Sequence, residues 1–185
     1  MKKKFNPRIK ARLRKNRQVL SKNIDNFFGW IKGAKLVELT ECNPDEDPVR
    51  PELDNKFRTG YGRKIYGVHY QGKIHAVMCF AYTNIIPRSI DELEKLSTDA
   101  FLQSAMRDQK GDQIAVAYTV WSKKKGGGKL IVKEVFKKIK KSNHLNRLVT
   151  LSPLTEMATS FHERNGAKLV QVNEETQNFE YKIIK

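Results

Sequence analysis

The sequence predicts a single α/β domain on a mixed sheet, preceded by a short basic arm. Two patterns predict it. Within residues 113–153, the apolar strand "QIAVAYTVWS", the amphipathic helix "KLIVKEVFKKIKKS" and a second strand "NRLVTLSP" follow one another, the βαβ order that lays two strands parallel. Elsewhere "RKIYGVHYQGKIHAVMCFAYTN" and the closing pair "AKLVQVN" and "NFEYKII" each flank a short polar turn, the hairpin order that lays strands antiparallel. With 185 residues, 39% of them apolar and 30% charged, the chain suffices for one core. The expected division is an arm over 1–22 and a domain over 23–185.

The arm, "MKKKFNPRIKARLRKNRQVLSK", contains no acidic residue and carries much of the net charge of +16. Such charge attracts polyanions of any kind: nucleic acid, an anionic membrane surface or a phosphate-bearing small molecule. No series of aromatic residues interleaves with the basic ones for base stacking, so residues 2–22 read as a solvated, partly helical tail, with nucleic-acid binding as the other reading. It is lysine-dominated and nearly free of serine, unlike a transit peptide.

In "NIDNFFGWIKGAK", Ile24, Phe27, Phe28 and Ile31 stand at helical spacing, and "KLVELTE" follows as a strand. "CNPDEDPVRPELDN" is rich in Pro and Asp, a loop long enough to be functional or mobile. Gln71-Gly72 is the turn of the first hairpin. Ser89 with Glu92 forms a capping box for a helix bearing Leu93 and Leu96, after which a second short helix over "DAFLQSAM" and a turn "QKGD" are expected. In the βαβ unit Leu130, Val135 and Ile139 form the helix's apolar side. The helix "TEMATSFHERN", stopped by Gly166, places Leu154, Met157 and Phe161 at core spacing, and "EETQ" turns the last hairpin.

No apolar run approaches the roughly 20 residues of a membrane span, so a soluble, cytoplasmic protein is expected. Cys42 and Cys79 lie far apart with no CxxC spacing, which signals neither a disulfide framework nor a zinc site, and no metal is expected.

Two segments offer chemistry. Lys123, Lys124, Lys125, Gly126, Gly127, Gly128 and Lys129 lie between strand and helix, where backbone N–H groups and a helix N-terminus can hold a pyrophosphate. The segment matches neither GxxxxGK[ST] nor GxGxxG, and a flexible turn with solvated lysines is the other reading. Ser152 before Pro153 is good N-cap chemistry, and on residue type alone His162 is a surface side chain. His69, His75 and His144 read as structural.

A basic residue after a strand, then two residues, Gly-x-Gly and a helix entered through leucine resembles the pyrophosphate loop of the GNAT superfamily, which binds coenzyme A. Lys123, Gly126, Gly128 and Leu130 match it, with lysine where glutamine or arginine is commoner. "TLSP" at 150–153 and "SFHERNGAKL" at 160–169 are similar to two segments of malonyl-CoA decarboxylase, whose catalytic domain has a GNAT fold. The strand "IHAVMCFAYTN" and the helix "IPRSIDELEKL" are similar too, and the likeness covers Tyr66 to Asn173. It implies a mostly antiparallel, twisted mixed sheet with splayed central strands, and a coenzyme A thioester bound between them near Tyr118 and Val120. It also implies Ser152 and His162 as the catalytic pair.

The chain departs from that family. No large helical domain precedes the sheet, no long insertion separates the serine and histidine segments, and "LTEMA" replaces Ile-Pro-Gly-Phe. The first reaction implied is decarboxylation of a malonyl-type thioester, Ser152 hydrogen-bonding the carboxylate or enolate and His162, titrating near neutral pH, delivering the proton. The second is acyl transfer to an amine of a small molecule, protein or RNA. "QIAVAYTVWS" holds no carboxylate base for transfer, although the acids of the 42–54 loop could supply one. The third is a non-enzymatic module that docks on nucleic acid through its arm.

Overall fold

The computed structural model describes residues 7–107 and 113–182. The chain falls into two compact units, residues 1–35 and 36–185. The first is a helix, α1 (Pro7–Gly33), which runs without a break through residue 22. No helix among the described residues is long and apolar enough to cross a membrane.

The second unit is built on an eight-stranded sheet. Its elements in order are β1 (Lys35–Leu39), a 3-10 turn (Pro44–Glu46), α2 (Asn55–Thr59), a second 3-10 turn (Gly60–Gly62), β2 (Lys64–Tyr70), β3 (Lys73–Thr83), α3 (Ile90–Arg107), β4 (Gln113–Ser122), α4 (Gly127–Lys140), β5 (Leu145–Thr150), β6 (Ser152–Pro153), α5 (Glu156–Arg164), β7 (Lys168–Val172) and β8 (Thr176–Tyr181). The strand order is β1-β2-β3-β4-β5-β8-β6, with β7 on β8. Only β4 and β5 are parallel among the registered pairs, so the sheet is mixed and mostly antiparallel. The β2–β3 turn has φ of 49° at Gln71 and 76° at Gly72, the left-handed geometry of a two-residue hairpin loop.

Alternation along β3 sorts its two faces. Val77, Cys79 and Ala81 share a core with Leu93 of α3, whereas Phe80 lines a cavity with Ile139 of α4. Leu130, Val135 and Ile139 of α4 are buried as their spacing predicts. The two helices expected between residues 89 and 106 are one. Ser97, where a break was expected, stays helical because its hydroxyl donates to Glu94 O at 3.1 Å and accepts from Arg63 Nη1 at 2.9 Å. Ser89 Oγ does accept from Glu92 N at 3.1 Å, while the Glu92 carboxylate turns to Arg88 N instead of completing the box. The expected turn over 109–112 and the end of "NFEYKII" lie outside the described residues. In the last hairpin Thr176 and Gln177 belong to β8, so its turn is shorter than "EETQ".

One feature of the sheet makes room for a ligand. β4 pairs with β5 only as far as Ala117 opposite Thr150, and Leu151 N donates to Ala117 O at 2.9 Å. On the other edge of β4, Cys79 faces Thr119 and Phe80 faces Ala117, which leaves Tyr118 as the extra residue of a bulge. Beyond that point β4 continues along β3 alone, while the chain after Thr150 enters β6 and pairs with β8 through Ser152–Gln177. The central strands therefore part at Ala117 and Thr150.

Candidate active site

A cleft of about 360 Å³ opens where β4 and β5 part, and Val120, Leu148, Ser152, Phe161, His162 and Tyr181 are among the residues lining it. Ser152 sits in β6, 5% exposed, because β8 takes that segment as a strand and Gln177 Nε2 donates to Pro153 O at 2.9 Å. Its hydroxyl therefore does not cap α5. Thr155 does, accepting from Ala158 N at 3.2 Å. The helix closes just after His162 in a Schellman motif, with Gly166 at φ 87°, Gly166 N on Glu163 O at 2.9 Å and Ala167 N on His162 O at 3.0 Å.

These two local structures bring Ser152 and His162 together. Ser152 Oγ lies 2.8 Å from His162 Nε2 and 3.0 Å from Thr150 Oγ1. His162 Nδ1 lies 3.0 Å from the Tyr181 hydroxyl, and the ring stacks on Phe179 with centroids 5.1 Å apart. Burial pushes the His162 pKa down to about 4. The imidazole is thus neutral at neutral pH, which corrects the expectation that it titrates there. Burial also pushes the Tyr181 phenol up, so it keeps its proton. The result is a buried chain Thr150–Ser152–His162–Tyr181 whose serine faces the cleft. Leu154 and Met157, expected in the core, are instead 44% and 73% exposed, because α5 turns His162 rather than those residues inward.

The glycine-rich segment is less of a break than its composition predicts, since α4 begins at Gly127. Gly126 has φ of 83°, a left-handed conformation that favours glycine. A Cβ on Gly127 would meet Ser122 Cβ at 3.0 Å, and one on Gly128 would meet Phe161 at 3.2 Å, so these two let α4 approach β4 and α5 closely. Of the lysines, Lys123 Nζ pairs with Glu46 Oε1 at 2.5 Å and Lys124 Nζ lies 5.0 Å from the Tyr70 ring centroid. Lys125 is exposed. Lys129 lines a second cavity of about 330 Å³ with Lys133, Phe136, Arg164 and Lys182. Val132 and Tyr181 line both cavities. Tyr118 and Val120 both line the cleft, and the Tyr118 ring also packs in the core against Phe57, centroids 5.8 Å apart. His75 Nε2 lies 3.2 Å from Tyr70 O and His144 is exposed, both away from the cleft. No group of three or more His, Cys, Asp or Glu among the described residues could hold a metal.

The 42–54 loop supplies what sequence patterns missed. Arg50 Nε donates to Tyr118 O at 3.1 Å and its Nη2 reaches Leu151 O at 3.5 Å, bridging the strands where they part. Asp47 is fully buried, paired with Arg58 at 2.9 Å, and accepts from Thr119 Oγ1 at 2.8 Å. A run of Pro and Asp marks such a segment as a loop but says nothing of where it docks.

No family model matches the sequence and no curated protein matches it. Solved structures do. The GNAT-like decarboxylase GphF, in complex with isobutyryl-CoA, matches with a TM-score of 0.63 at 10% identity, over 81% of this chain and 100% of its own. The chain has a GNAT fold. A Bacillus subtilis acetyltransferase in complex with CoA shares that fold with a TM-score of 0.55 at 11% identity, over 82% of this chain and 99% of its own. The malonyl-CoA decarboxylase of Agrobacterium vitis matches with a TM-score of 0.54 at 16% identity, over 74% of this chain and 38% of its own. The chain thus spans well under half of that enzyme's length.

Proposed function

We propose that the chain is an enzyme that binds a coenzyme A thioester in the cleft between β4 and β6 and decarboxylates a malonyl-type acyl group. The observation that carries this reading is the buried Ser152–His162 pair at 2.8 Å, lining a cleft in a GNAT fold. Val120, Leu148 and Phe161 make that cleft apolar enough for a pantetheine arm. The basic cavity of Lys129, Lys133, Arg164 and Lys182 suits the phosphates at the nucleotide end. Apolar walls also favour loss of CO2, because they solvate the departing carboxylate poorly.

In the reaction the bond between the carboxylate carbon and the α-carbon breaks, CO2 leaves, and the electron pair passes to the thioester as an enolate. Ser152 donates a hydrogen bond to the enolate oxygen, and the α-carbon takes a proton through the Ser152–His162 pair, which solvent reprotonates. The neutral imidazole suits a relay: each ring nitrogen has a partner, so the ring passes a proton without being held as a buried cation.

Malonyl-CoA is the test substrate, with release of CO2 and acetyl-CoA as the readout. Ser152→Ala and His162→Ala should each lower the rate by about a hundredfold or more, with CoA binding retained. If both variants decarboxylate normally, the assignment of the pair is wrong. A second reading, acyl transfer to an amine, is favoured by one observation: Glu46, half-exposed, lines the same cleft and could serve as base. It expects acetyl-CoA turnover that depends on an added amine and is lost in Glu46→Gln.

A further inference from the structure

We propose that α1 binds an anionic lipid bilayer, lying in the plane of its surface with Leu20, Phe27 and Phe28 against the acyl chains and Arg12, Arg14, Lys15 and Arg17 at the phosphates. The helix exposes two kinds of side chain that a bilayer surface would take up, one apolar and one cationic. Leu20, Phe27 and Phe28 are 62%, 44% and 55% exposed and stand at i, i+7 and i+8, on one side of the helix. The two phenyl rings meet edge-on with centroids 6.2 Å apart, so they form a continuous apolar surface.

The second kind is cationic. Arg12, Arg14, Lys15 and Arg17 are all exposed, and no ion pair among the described residues involves them. The first turn of α1 contains no acid, and Asp25 is the only acidic residue before Glu38. A nucleic acid would take up the cations and leave Leu20, Phe27 and Phe28 in water. An apolar protein groove would take up the rings and leave the cations unmatched. The interface of an anionic bilayer meets both needs at once, with phosphates outside and hydrocarbon a few ångströms deeper. Arg and Lys side chains suit that boundary, since their stems can lie along hydrocarbon while the charge stays at the headgroups. Each basic residue near such a surface is worth about fivefold in partitioning.

The full chain, mixed with vesicles of phosphatidylcholine and phosphatidylglycerol, should float with them, whereas with phosphatidylcholine alone it should stay in solution. Replacing Arg12, Arg14, Lys15 and Arg17 by Glu should lower partitioning by more than a hundredfold, and Leu20→Gln with Phe27→Gln and Phe28→Gln by about tenfold or more. All seven positions are exposed, and an unchanged melting midpoint for each variant shows that the fold is kept. The proposal is overturned if the wild-type chain ignores the mixed vesicles, or if the triple glutamine variant binds them as wild type does. Two results of the first kind identify the partner instead. Salt-sensitive binding to RNA that the triple variant retains assigns the cations to nucleic acid, and self-association lost in the triple variant assigns the rings to a second copy of the helix.

Discussion

Both nitrogens of the His162 ring are occupied, Nε2 by Ser152 and Nδ1 by Tyr181, and burial holds its pKa at about 4. An unfolded histidine titrates near 6.5, so between these values the unfolded chain binds the proton that the native state refuses. Native stability is therefore undiminished above about pH 6.5 and falls as the pH drops towards 4, by about 3 kcal/mol from this residue. Urea midpoints measured across that window should fall, and His162→Gln should flatten the decline. On the decarboxylase reading, the same burial predicts a rate without a limb near pH 6.5, which a pH profile of kcat/KM checks. Tyr181→Phe removes the partner of Nδ1 and frees the ring to rotate. It should lower kcat about tenfold and change KM less, since the substitution keeps the ring that lines the cleft and removes only the hydroxyl that partners His162. Ser152 and His162 were legible in the sequence because each sits in a short recognisable segment. Tyr181 was not: a tyrosine in a closing strand has no spacing signal, and only the antiparallel register of β8 against β5 and β7 brings it beneath the ring.

At the scale of elements, α5 shows where local chemistry decides and where it does not. Its periodicity and its glycine stop were legible, and the Schellman closure at Gly166 follows from them. Its start was not, because Ser152-Pro153 and Thr155-Glu156 both qualify as caps and pairing with β8 settles which one acts. Thr155→Ala should therefore cost about 1 kcal/mol of stability in chemical denaturation, with no loss of a cap in Ser152→Ala. The 42–54 loop gives the opposite case, an irregular segment held as firmly as a strand. Asp47 accepts from Arg58, Thr119 and the backbone N–H of Val49 and Arg50, and so fixes the loop to β4 beside the bulge. Asp47→Ala strands a buried guanidinium and should cost about 3–5 kcal/mol, whereas Asp47→Leu with Arg58→Met should recover much of that loss. If the single variant melts as wild type does, Asp47 does not anchor the loop.

The charge of the whole molecule, 36 basic against 20 acidic residues, predicts an anionic partner without saying which, and only the fold resolves that charge into separate places. Lys123 lines the cleft where β4 and β5 part and pairs there with Glu46, whereas Lys129, Lys133, Arg164 and Lys182 converge on one cavity beside it. Three of these four lie outside the glycine-rich segment, since α4 and the end of α5 gather residues more than thirty positions apart. If this cavity takes the phosphates of coenzyme A, affinity should follow the phosphates rather than the thiol. Coenzyme A should raise the melting midpoint most, dephospho-coenzyme A less and pantetheine least. Each step should weaken binding about tenfold, the value of a charge-assisted hydrogen bond or two. Lys133→Ala with Arg164→Ala should then erase the difference between coenzyme A and its dephospho form while leaving the weaker binding of pantetheine untouched. Added salt should narrow the same gap by screening exposed pairs. Equal shifts for all three ligands would place recognition in the apolar cleft alone and leave the basic cavity without a part in binding them.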